Sequence, residues 1–194
     1  AYITASGAAS AQTITATAAS WSAHGNLMTK GVPGLVVRAA STPVSQTYIK
    51  NATDALFAQI AFTASTTEDV KITKIKITAG ATTSATITTP RDAFTGLDID
   101  ATQDLLGNIK LCVSSTDCTG ANQVGLTISS LTNGANNTDY ADFTGLSLTI
   151  PKGTTKIIDV KAKVLNSTGT SLYFYLGIAS STSQITAAGV DSGQ

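Results

Sequence analysis

A chain of 194 residues has room for one well-buried core, with or without an extended arm, but is short for two full domains. Its 12 basic and 12 acidic residues cancel, and the charged fraction of 12% is about half the usual share, so the concentrated positive charge that nucleic acid or an anionic membrane demands is missing. Ser and Thr make up roughly a quarter of the chain, and a surface of hydroxyls and methyls can pack against copies of itself with little charge to desolvate.

The chain opens on Ala1-Tyr2-Ile3-Thr4 without a Met, the pattern of a mature N-terminus left by signal-peptide removal, which points to a secreted, extracellular or cell-surface protein. Residues 1–20 carry no charge and no Pro. Their apolar phase runs Ile3, Ala5, Ala9, Ala11 and then shifts to Ile14, Ala16, Ala18. This predicts an extended N-terminal arm over residues 1-22, reaching about 65 Å if the first 20 residues are fully drawn out. Trp21 to Asn26 reads as a junction, and a β-sandwich domain is expected over 23-194. The apolar run from Gly34 to Ala40 is broken by Arg38, and no run approaches the roughly 20 residues of a membrane span.

Helical periodicity is almost absent, and Glu68 is the only Glu. Two-residue alternation takes its place. Over 54–65, Leu56, Ala58, Ile60, Phe62 and Ala64 share one face against Gln59, Ala61 and Thr63, as in a half-buried antiparallel strand. Over 69–79, Val70 and Ile72 fall in one phase and Ile75 and Ile77 in the other, with Lys71, Lys74 and Lys76 facing away; a slip at Thr73-Lys74 predicts a β-bulge or a change of sheet. Further strands are expected at 84–89, 109–113, 124–129, 146–150, 156–165, 172–178 and 184–190, with turn residues between them. Ile158, Val160, Ala162 and Val164 are expected inward against outward Asp159, Lys161 and Lys163, and Leu172, Phe174, Leu176 and Ile178 inward on a strand joined to them as a hairpin through 166–170. Seven or more such strands make an all-β, two-sheet sandwich of Ig-like or jelly-roll type the economical fold. Its core is predicted from Leu56, Ile60, Phe62, Val70, Ile72, Ile158, Val160, Val164, Leu172, Phe174 and Leu176.

Few residues invite chemistry. The spacing of Cys112 and Cys118 suits a disulfide closing a small hairpin in an oxidising compartment, and a metal knuckle would need other ligands nearby. His24 is the sole His, in a Gly-flanked junction with no nucleophile motif, so no enzyme is expected. No organic cofactor is implied. Asp98, Asp100 and Asp104 form the densest carboxylate group and are candidate ligands for a structural calcium, although the spacing is not that of an EF-hand; Asp139 and Asp142 are a second group. Asn51, Asn136 and Asn166 head Asn-x-Ser/Thr sites in expected loops and are candidate glycan acceptors. Tyr173 and Tyr175 share the outward face of one strand, the spacing of a sugar-stacking platform.

The start, the uncharged arm and the segments Ala61-Phe62-Thr63-Ala64-Ser65-Thr66-Thr67-Glu68-Asp69-Val70-Lys71-Ile72 and Ile150-Pro151-Lys152-Gly153-Thr154 together resemble prokaryotic extracellular β-sandwich filament subunits. The layout is similar to donor-strand-complemented pilins and thread-like proteins over the whole chain. That resemblance implies a pilus or fimbrial homopolymer in which the arm of one copy, through Ile3, Ala5, Ile14, Ala16 and Ala18, completes the sandwich of the next. The competing expectations are that residues 1–20 form the first strands of their own sandwich, or that the protein is a carbohydrate-binding or adhesin module, or an S-layer-type coat domain.

Overall fold

The computed structural model describes residues 4–6, 13–15, 34–44, 46–82, 105–114, 117–134, 138–165 and 173–193. The chain divides into two units, Ala1–Gly31 and Val32–Gln194, and the expected arm lies wholly within the first. There β1 (Thr4–Ser6) and β2 (Thr13–Thr15) pair antiparallel, with Ala5 opposite Ile14. In the described residues the segment thus turns back on itself in place of one drawn-out strand. Antiparallel pairing lets the main-chain groups of the two strands bond to each other.

The second unit is the all-β sandwich that the alternation predicts. Ten strands follow: β3 (Leu35–Ala39), β4 (Ala55–Ala64), β5 (Val70–Thr82), β6 (Leu106–Val113), β7 (Ile128–Ser130), β8 (Asp139–Phe143), β9 (Leu148–Ile150), β10 (Thr155–Val164), β11 (Tyr173–Gly177) and β12 (Ile185–Gly189). A single helical turn, α1 (Ser181–Gln184), precedes β12. One sheet has the order β3-β4-β10-β6-β7 and is antiparallel throughout.

The other sheet is built on β5. Thr78 and Ala79 pair with both β11 and β8, and Val70 to Ile72 with both β12 and β9, so these partners lie on opposite sides of β5. Ile75 pairs with both β12 and β8, which puts β11 and β12 end to end along one side and β8 and β9 along the other. The long strand is flanked by two half-length strands on each side.

Register breaks explain where periodicity misleads. At β5, Lys74 pairs with Thr186 but Ile72 with Ala187; Thr73 is the extra residue, the bulge that the phase slip predicts. Val70 and Ile72 before it, and Ile75, Ile77 and Ala79 after it, all reach the core. A second shift opposite β10, where Val160 faces Ala58 and Lys161 faces Leu56, leaves Phe57 over and turns the first residues of β4 round. Ala55 is therefore buried, Phe57 packs on the core, and Leu56, expected in the core, is only half-buried.

Ile60, Phe62, Val70, Ile72, Ile158, Val160, Val164 and Leu176 are buried as predicted, Phe174 is half-buried, and Leu172 lies outside the described residues. Two expectations fail. The expected hairpin joining the strand of Ile158 to that of Phe174 does not exist, because β10 belongs to one sheet and β11 to the other. Inward alternation on both strands is satisfied equally well by facing sheets, and periodicity cannot tell the two apart. Asp159 and Lys161, expected in solvent, are buried, because β10 is the central lane of a five-stranded sheet and its outer face is covered. The amide of Gln59 donates to Asp159 at 2.8 Å, and Thr42 bonds Gln59 in turn.

Candidate functional site

The two flanks of the sandwich are finished differently. The connection from β4 to β5 and that from β9 to β10 each carry the chain between sheets, and they meet at one end, where Gly153 N–H donates to Ser65 carbonyl at 2.9 Å. β3 is an edge strand of the first sheet, and β11 and β12, end to end, form one edge of the second. On the other side of β5, Ala141, Phe143, Leu148 and Ile150 are buried, and β8 is backed further by a reciprocal main-chain pair, Thr132 with Tyr140, at 2.8 and 2.9 Å.

On the β3 flank, core-facing Leu35 and Val37, which stand opposite Ala64 and Phe62, are only half-buried, while Val36 on the outer face is 47% exposed. Among the described residues, the main chain of β3 has a strand partner on one side only. Gly34 carbonyl accepts from Ser65 N–H at 2.8 Å and Ala40 N–H donates to Gln59 carbonyl at 2.9 Å, so every second residue from Gly34 to Ala40 turns its main-chain groups towards β4. Leu35, Val37 and Ala39 turn theirs the other way, to an edge with no partner strand among the described residues.

The β12 edge is closed at its Gly189 end. Gly193 N–H donates to Gly189 carbonyl at 2.9 Å, folding the chain back, and the buried carboxylate of Glu68 accepts from Asp191 N–H and Ser192 N–H at 2.8 and 2.9 Å. Gly189 has no side chain because a Cβ there would overlap that carboxylate. As sequence, residues 34–40 register as an apolar run interrupted by Arg38. The alternation of Leu35, Val37 and Ala39 against Val36 and Arg38 is the signal that locates the strand.

The residues singled out from the sequence scatter. Ala5 and Ile14 face each other in the β1–β2 pair, while Ile3, Ala16 and Ala18 lie outside the described residues, as do Trp21, His24, Asp98, Asp100, Asp104, Asn136 and Asn166. Cys112 and Cys118 form a disulfide, Cα atoms 5.3 Å apart. It ties the end of β6 to the loop that returns as Gln123, which bridges to Cys112, and both cysteines are buried. Asp139 and Asp142 do not converge: Asp139 is buried and accepts from Gly134 N–H at 3.3 Å, whereas Asp142 lies on the outer face and pairs with Lys74 at 3.0 Å. No group of three His, Cys, Asp or Glu residues comes together among the described residues.

Asn51 sits exposed in a turn with φ 65°, its N–H bonded to Val164 carbonyl, so its side chain is clear of the core. Tyr173 is exposed and Tyr175 half-buried on the outer side of β11, opposite Thr82 and Gly80. Burial, and then the neighbouring Tyr173, hold the Tyr175 phenol above the ordinary tyrosine value. Tyr140, on the outer face of β8, carries the Lys76 ammonium 3.5 Å over its ring. No helix among the described residues is long and apolar enough to cross a membrane. No protein-family model, no curated protein and no solved structure matches this chain.

Proposed function

We propose that this protein is a structural subunit of an extracellular filament, built when the N-terminal segment of one copy adds as a strand to the sandwich of the next. The observation that carries this reading is that β1 and β2 pair with each other and belong to neither sandwich sheet. A charge-free, alternating segment is a ready β-strand, and pairing it with a neighbour satisfies its main chain and buries its methyls at once. The low charge of the whole chain favours close contact between copies.

The test is made on the full chain. Ile14→Asp combined with Ala16→Asp places two charges on the donated face, and the doubly substituted protein should remain monomeric by light scattering under conditions where the parent forms fibres visible by electron microscopy. Fibres equal to those of the parent would overturn the reading. An adhesin or carbohydrate-binding role is favoured by one observation, the exposed Tyr173 beside Tyr175, and predicts retention on glycan arrays that Tyr173→Ala abolishes. Under either reading Asn51 is the candidate acceptor best placed to carry a glycan among the described residues.

A further inference from the structure

We infer that the acceptor for the donated segment is the open edge of β3, so that residues 1–20 of a second copy extend the five-stranded sheet by one strand beyond Leu35–Ala39. This rests on the filament reading and gives it a location. Three features select this edge.

The main-chain groups of Leu35, Val37 and Ala39 point away from β4 and offer three successive positions for an added ladder, whereas the end of β12 is consumed by the Gly193 to Gly189 turn. Leu35 and Val37 are half-buried with their neighbours Ala64 and Phe62 fully buried, so an added strand that sets small apolar side chains beside them completes an unfinished part of the core. Charge matches as well. The only charge on β3 is Arg38, on the outer face, and residues 1–20 carry none, so no charge is desolvated along the joint. Ile14, Ala16 and Ala18, spaced by two, would then stand on the core side next to Leu35 and Val37.

Donor and acceptor can be disabled separately in full-length chains. Ala39→Pro removes an N–H that makes no bond to β4 and leaves the β3–β4 ladder intact, since Pro is tolerated on an edge strand whose N–H faces outward. Ala39→Lys serves as a second acceptor variant should the Pro variant unfold, because Ala39 is exposed and a charge at the joint blunts the edge. Each acceptor variant alone, and the Ile14→Asp/Ala16→Asp chain alone, should sediment as monomer. An equimolar mixture of the two should yield a complex of one copy of each and no longer polymer, because one chain can donate and the other accept. If the acceptor variants polymerise like the parent while the Ile14→Asp/Ala16→Asp chain stays monomeric, strand donation stands and β3 is not its target. If the Ile14→Asp/Ala16→Asp chain polymerises, the filament reading itself fails.

Discussion

The only Glu in the chain is buried and spends its carboxylate on two main-chain N–H groups of the C-terminal turn. Replacing it by Ala would leave donors unpaired in a covered site, and Glu68→Ala should lose about 1–3 kcal/mol in urea unfolding, with Gly189→Ala also destabilising because its Cβ displaces the same carboxylate. Phe62 is fully buried at the centre of the sandwich, so Phe62→Ala should cost roughly 3–5 kcal/mol by the same measurement. Tyr48 gives a pH signature. Burial raises its phenol above the ordinary 10.0, and its O–H donates to Leu56 carbonyl at 2.7 Å, so the folded state favours the neutral form. Its contribution is complete below the unfolded value and is lost as pH rises through the higher folded one. Tyrosinate absorbance of the native protein should therefore show a component titrating above the ordinary range that shrinks in Tyr48→Phe and disappears only when Tyr175→Phe is added.

At the level of elements, the bulge in β5 makes an unusual prediction about deletions. Removing Thr73 joins Ile72 to Lys74 and leaves Val70, Ile72, Ile75 and Ile77 in one unbroken alternation, at the cost of the bond from Leu146 N–H to Thr73 carbonyl and the exposed one from Thr73 hydroxyl to Thr186 carbonyl. The loss should be about 1 kcal/mol. Deleting Lys76 instead would throw Ile77, Ala79 and Ala81 onto the outer face and should abolish folding, as circular dichroism would report. The same alternation shows what a sequence can reveal. Faces within β5 and β10, and the position of the Thr73 slip, follow from period two because each side chain is forced to one side of the pleat. Pairing is different: the pattern of β10 and β11 is the same whether they share a sheet or face across the core. Nor does alternation locate the Phe57 bulge, since Leu56, Phe57 and Ala58 are all apolar and either phase looks acceptable. The open edge of β3 was equally hidden, because it is a property of what stands beside the strand.

For the whole molecule, strand length sorts with position. β4, β5, β6 and β10 are interior and run to 8 residues or more, while the outer lanes β3, β7, β8, β9, β11 and β12 have 5 or fewer. Short outer lanes limit chance association in a protein of little charge. The interior pairs are distant in sequence, as Ile60 with Ile158, so refolding should take milliseconds to seconds by stopped-flow fluorescence. The Cys112–Cys118 disulfide closes only a small loop, and its reduction should remove about 2–3 kcal/mol without unfolding the sandwich. The connection between β4 and β5 has a mechanical consequence. Gly34 is bonded at its beginning, to Ser65, and Val190 at its end, to Asp69, so the chain enters and leaves the sandwich at one and the same end. Tension applied between these two points would peel β3 from β4 and β12 from β5 one hydrogen bond at a time, and each bond would fail alone at low force. A strand laid along β3 would load its bonds side by side, so that they must break together. Single-molecule pulling through residues 34 and 190 should accordingly show a soft, early yield, and the same domain loaded through an added edge strand should hold to a distinctly greater force.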